Sequence, residues 1–159
     1  MNHPTVSVVG GQVVACYSHD CYHMTPSGWQ NLQITLLHKR EAHSSAVTPM
    51  DILLIGGRES QSTTEYLSMD EGHKQSEGIH HVPERKEWHC TIQLNPTAII
   101  ITGGDDSYDR VTEYSGLGGH VTSYEHTRLA HRRKFHACGM YELANSKVHH
   151  DHDVVRKAH

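Results

Sequence analysis

Aromatic side chains are scarce in this chain: one Phe, two Trp and seven Tyr among 159 residues. Hydrophobic residues reach only 36%, so a core has to be assembled largely from small aliphatic groups. No apolar run approaches the roughly 20 residues that a membrane-crossing helix requires, which excludes that class of membrane protein. Neither a Gly-X-Y period nor sustained heptads occur, so collagen and coiled-coil architectures are excluded too. Lys and Arg are interspersed with Asp and Glu rather than clustered, which argues against nucleic acid as a partner. The start, Met1-Asn2-His3-Pro4-Thr5, lacks the basic-then-apolar layout of a secretory signal.

Catalytic motifs are missing as well. There is no Gly-x-Ser-x-Gly elbow, no His-Glu-x-x-His and no Gly-x-x-x-x-Gly-Lys loop. Gly116-Leu117-Gly118-Gly119 follows a strand-like segment with no helix pattern behind it, so it reads as a turn rather than a phosphate loop. The expectation is a non-enzyme without a cofactor.

Histidine, by contrast, is abundant. Seventeen His accompany 14 Lys plus Arg and 18 Asp plus Glu, for a formal charge of −4 with imidazoles neutral. At an unperturbed pKa of about 6.5, roughly a quarter of exposed imidazoles are protonated at pH 7, which brings the net charge near zero. Four Cys (Cys16, Cys21, Cys90, Cys138) allow three pairings, and spacing does not choose among them. Without a secretory signal the plain reading is four reduced, buried thiols in a cytoplasmic protein.

The chain also repeats. Apolar runs close on a glycine pair at Gly10-Gly11, Gly56-Gly57 and Gly103-Gly104, 46 and then 47 residues apart. A basic residue three before a His recurs as Arg40…His43, Lys86…His89 and Arg133…His136, with the same spacings. Thr64-Glu65-Tyr66 and Thr112-Glu113-Tyr114 follow loosely. Within each period the signals are β. Met50–Ile55 is a continuous apolar run between turn residues, which suits a strand buried on both faces. Ala98–Thr102 is rich in β-branched residues. Strand-like segments precede them at His43–Thr48 and His89–Leu94, joined through Pro-containing turns. Further strands are expected at Thr63–Ser68 and Val111–Tyr114, and a fourth after a polar turn such as Pro26-Ser27-Gly28-Trp29. Four short strands in about 47 residues make a propeller blade.

These landmarks together resemble the kelch repeat over residues 6 to 146. The resemblance implies an all-β fold of kelch-type β-propeller blades of four antiparallel strands, about three of them, in an incomplete or open propeller. It also implies recruitment of another protein, as propellers of this family recruit ubiquitin-ligase substrates or actin. Structural roles are then expected for Gly10, Gly11, Trp29, Arg40, His43, Gly56, Gly57, Tyr66, His89, Gly103, Gly104, Tyr114, Arg133 and His136. Tyr66, Tyr114 and Trp29 fill wedges between blades, and Arg40 and Arg133 pair with Glu65, Glu113 or backbone carbonyls. Three blades fall short of the four to eight that close a ring, so strand edges are expected to stay open, or the chain to self-associate and close the propeller. A repeat segment over 1–147 would end in a disordered, His-rich polar tail over 148–159, because His149-His150-Asp151-His152-Asp153 stands where the next apolar run is due.

The loops after the glycine pairs are the expected contact surface, with Arg58, Glu59, Asp105, Asp106, Tyr108 and Arg110 as candidate partner-binding residues. Two weaker metal candidates are the tail (His149, His150, His152) and Cys16-x4-Cys21 with His19 and His23. Short His-rich tracts are compositional signals only, and no second Cys pair completes a zinc spacing, so no metal site is expected. The competing readings are a histidine-driven metal- or pH-responsive binder and a fragment of a propeller enzyme.

Overall fold

The computed structural model of the chain describes residues 3–47, 51–60, 63–69, 87–105, 109–116, 122–126, 128–132 and 138, and the backbone of 76–81. Arg133, His136, Asp106, Tyr108 and the 148–159 tail lie outside the described residues. Eleven strands and no helix are present among those described. They form three antiparallel sheets.

Sheet one comprises β1 (Thr5–Val9), β2 (Gln12–Thr25) and β3 (Gly28–Arg40). Sheet two runs β4 (Ser44–Val47), β5 (Asp51–Ile55), β6 (Thr63–Ser68), β7 (Ser76–His81). Sheet three runs β8 (Cys90–Asn95), β9 (Ala98–Thr102), β10 (Val111–Ser115), β11 (Thr122–Glu125). The first strands of the sheets are neighbours in space, β1 beside β4 and β4 beside β8. Hydroxyls stitch them together: Thr5 Oγ1 donates to the His43 carbonyl at 2.9 Å, Ser7 and Ser45 share a hydrogen bond of 2.7 Å, and Ser44 meets Thr91.

Two apolar layers fill the space between the sheets. Val9, Val14, Cys16, Cys21, Leu32, Ile34 and Leu36 of sheet one pack on Ile52, Leu54 and Leu67 of sheet two. Leu53, Ile55 and Ala46 of sheet two pack on Ile99, Ile101 and Tyr114 of sheet three, with Tyr66 against them. Because side chains alternate along a strand, the continuous run Ile52–Ile55 supplies both layers at once. All four residues are almost completely buried.

The repeat is true between sheets two and three and false in sheet one. Gly10-Gly11 forms a tight hairpin between β1 and β2, where Val9 faces Gln12. That place belongs to the β4–β5 and β8–β9 turns in the other sheets, not to the loops that Gly56-Gly57 and Gly103-Gly104 open. The 46-residue step from Gly10 to Gly56 is therefore a coincidence of sequence. The Thr-Glu-Tyr likeness is also displaced: Leu53 faces Tyr66, whereas its counterpart Ile100 faces Glu113. A slip of one residue reverses a side chain's face. Tyr66 and Tyr114 consequently enter the same apolar layer from opposite sides. Trp29, expected in a wedge, is instead 47% exposed near the tip of the long β2–β3 hairpin, opposite Met24.

The four thiols, expected to be reduced, are paired as Cys16–Cys21 and Cys90–Cys138. Cys16 and Cys21 lie on one strand, where residues five apart are normally separated by roughly 16 Å. Their Cα atoms are 4.2 Å apart because irregular register at Ser18, Asp20 and Tyr22 folds the strand on itself. The disulfide removes both thiolates from any zinc site with His19 and His23.

Candidate interaction rim

Arg40 organises the loop after the first packed glycine pair. Its side chain is fully buried, with Nε 3.0 Å from Glu65 Oε2. Nη1 donates to the Gly56 carbonyl (2.7 Å), Ser60 Oγ (3.1 Å) and the Thr63 carbonyl (3.1 Å), and Nη2 to Thr63 Oγ1 (3.1 Å). The other Glu65 oxygen accepts the Leu37 amide at 2.5 Å. One guanidinium thus ties β3, β6 and the loop that opens at Gly56 together, adding a second donor to the Gly56 and Thr63 carbonyls, which also accept Ser60 Oγ and the Gly56 amide respectively. Burial pulls the Arg40 pKa down and Glu65 opposes it, leaving a cation whose partners are all internal.

The glycine pairs at 56–57 and 103–104 allow each loop to sit close to the segment that leads into the first strand of its own sheet. Gly57 has φ +110°, and a Cβ there would lie 3.0 Å from the Glu41 carbonyl and 3.2 Å from His43 Cβ. Gly104, at φ +105°, meets the Glu87 carbonyl and His89 Cβ at 3.1 Å each. At Gly10 and Gly11 an added Cβ would meet nothing within 4 Å. His43 is buried, and neither ring nitrogen has a hydrogen-bond partner. Burial, and then the charge of Arg40, lower its pKa to about 3. Its counterpart His89 shares a 2.6 Å hydrogen bond between Nε2 and Ser44 Oγ.

The same approach sets up the rim. The Arg58 amide donates to the Glu41 carbonyl at 2.7 Å, and the Asp105 amide to the Glu87 carbonyl at 3.0 Å. Arg58 projects with its side chain 57% exposed, its Cζ 5.8 Å from the Trp88 ring centre and its Nε 3.6 Å from Glu87 Oε2. His3 packs edge-on against Trp88, with ring centres 4.3 Å apart. Burial and the neighbouring Asp105 raise the Glu87 pKa, while Arg58 pulls it back. Beside them Lys39 bridges Glu59 (2.7 Å) and Glu41 (3.4 Å), and the Tyr17 hydroxyl donates to Glu41 at 3.3 Å.

Three of the expected contact residues, Arg58, Glu59 and Asp105, therefore belong to one surface. The Arg110 carbonyl accepts the Gly103 amide at 2.9 Å, which closes the loop that carries Asp105. Sequence reasoning missed Trp88, Glu87, Glu41 and Lys39. A signal was available, since Arg40-Glu41-Ala42-His43 and Lys86-Glu87-Trp88-His89 share the Glu as well as the basic residue and the His. Among the described residues, no group of three or more His, Cys, Asp or Glu gathers to hold a metal, and no helix is long and apolar enough to cross a membrane.

The architecture defines an all-β protein of packed antiparallel sheets. No family model matches the chain, and no curated protein does. Among solved structures it is similar to that of YjhT, with a TM-score of 0.69 and 10% identity over 83% of this chain and 53% of that one. The chain thus spans about half the length of this neighbour. At that identity the likeness shows the fold alone.

Proposed function

We propose that this chain is a non-catalytic binding module, an arc of about three kelch-type propeller blades, that engages another protein through the rim formed by the loops after its glycine pairs. The observation that carries the reading is Arg58. Its backbone is pinned to Glu41, its loop is anchored from beneath by Arg40, and its guanidinium is held over Trp88 while remaining half exposed. Arg and Trp are the residue types that concentrate binding energy at interfaces, and a side chain ordered in advance loses little entropy on binding. The glycine-pair loops, their packing against His43 and His89, and the likeness to YjhT support the blade assignment.

The experiment is site-specific photocrosslinking in the native cell. A benzoylphenylalanine at Glu59 is expected to capture a discrete protein, and one at Gln30 on the far hairpin is not. Adding Arg58→Ala should reduce the Glu59 adduct about thirtyfold at sub-saturating partner, the effect of a hot spot worth about 2 kcal/mol. Equal capture at both positions, or capture indifferent to Arg58, refutes the assignment.

A further inference from the structure

The long strand β2 changes partners in its middle. Residues 12–16 pair with β1, and residues 18–25 pair with β3. The Cys16–Cys21 disulfide sits at the changeover and pinches residues 17–20 into a loop, with both cysteines buried in the apolar layer. That loop touches β3 and its continuation at four points. Asp20 pairs with Thr35, and Ser18 with Arg40. His19 Nδ1 donates to the Leu36 carbonyl at 3.4 Å, and the Tyr17 hydroxyl donates to Glu41 Oε1 at 3.3 Å. Two steps along β2, from 18 to 20, are thus matched by five along β3, from 35 to 40, and β3 carries the surplus residues as a bulge.

Arg40 and Glu41, which this loop holds, are the two residues that anchor the loop of Arg58. The Arg40 guanidinium binds the Gly56 and Thr63 carbonyls, and the Glu41 carbonyl accepts the Arg58 amide. A straight strand would separate residues 16 and 21 by roughly 16 Å, so an open bridge frees the pinch to extend and draws Ser18 and Tyr17 away from Arg40 and Glu41. We propose that the Cys16–Cys21 disulfide, acting through Tyr17 and Ser18, is the positioning element of the rim, which takes its binding form only in the oxidised chain. A bridge across so short a loop removes less entropy from the unfolded chain than Cys90–Cys138, whose cysteines are 48 residues apart, so its distinctive contribution is the geometry it imposes. Closing it is thiol–disulfide exchange: the two thiols give up two protons and two electrons, and a small or protein disulfide donor leaves as two thiols. With Cys16 2% and Cys21 0% exposed, exchange requires the strand to unpack, so the state is set as the chain folds. The inference rests on the reading of the rim as a binding surface for its consequence, and on the geometry alone for the positioning.

Amide hydrogen exchange followed by NMR on the full chain tests this. With Cys16→Ala and Cys21→Ala together, the Arg58 amide should exchange about tenfold faster than in wild type. The Asp105 amide makes the equivalent bond, to the Glu87 carbonyl, in sheet three and serves as the internal reference, changing by less than about twofold. Tyr17→Phe keeps the bridge, removes only the hydroxyl and should speed the Arg58 amide about threefold, and it decides the matter alone if the double variant does not fold. An Arg58 rate that stays at the wild-type value overturns the proposal. So does equal acceleration at Asp105, which would mark a general loosening rather than positioning. Photocrosslinking from position 59 should fall together with the Arg58 protection, and capture that persists undiminished in the double variant overturns the claim that binding needs the oxidised chain. Capture absent already from wild type sinks the binding reading instead and leaves the exchange result standing.

Discussion

His43 makes the folded state sensitive to mild acid. The imidazole is buried without a hydrogen-bond partner, close enough to the Arg40 guanidinium to feel its charge, and its pKa falls to about 3. In the unfolded chain the same group titrates near 6.5. A base whose pKa is lower in the folded state binds fewer protons there, so acid favours unfolding. The destabilisation begins as pH drops below about 6.5 and continues until about 3. Each pH unit inside that window costs about 1.4 kcal/mol, so moving from pH 7 to pH 5 should remove about 2 kcal/mol. Urea unfolding of wild type and His43→Leu at both pH values measures it, above the range where most carboxylates protonate. Leucine fills a similar space without titrating, so its stability should change by about 2 kcal/mol less than wild type between the two conditions. An identical pH dependence in the two proteins would refute the reasoning, because the proton uptake would then belong to other histidines.

Two further substitutions probe the loop that carries the rim. Gly57→Ala places a Cβ against the Glu41 carbonyl at φ +110° and should cost more than the about 1–2 kcal/mol of left-handed strain alone. Gly10→Ala, in open space at φ +54°, should cost no more than that strain, and equal melting-temperature losses would show that the two pairs are equivalent after all. Glu65→Ala strips the buried Arg40 of its carboxylate and the Leu37 amide of its acceptor. A loss of about 3–5 kcal/mol is expected in chemical unfolding, and a loss below about 1 kcal/mol would mean that the pair is accessible to water.

Strand positions were the most legible feature of the chain. Thr63–Ser68 and Ala98–Thr102 form strands with the expected bounds, and the run ending at Ile55 is a strand over Asp51–Ile55. Local composition suffices there, because a strand flanked by sheets on both sides needs apolar groups at consecutive positions. That Arg58, Glu59 and Asp105 lie on loops following strands was legible for a similar reason, since polar segments after a strand tend to lie on the surface. Register was harder. Gly10-Gly11 looks like its two successors, but a glycine pair serves a tight hairpin as well as a close-packed loop.

The amino-acid order by itself determined that the fold is all-β and where strands such as Thr63–Ser68 and Ala98–Thr102 lie, and it presented three glycine-pair periods of which the structure keeps the second and third as equivalents. Those properties arise from neighbours along the chain. Only the tertiary structure decided which cysteines meet, why Glu65 and not Glu113 is buried against an arginine, and that Trp88 lies beneath Arg58. Each depends on residues far apart in sequence arriving at one place, and a one-residue change of register or a bulge in one long strand moves them together or apart.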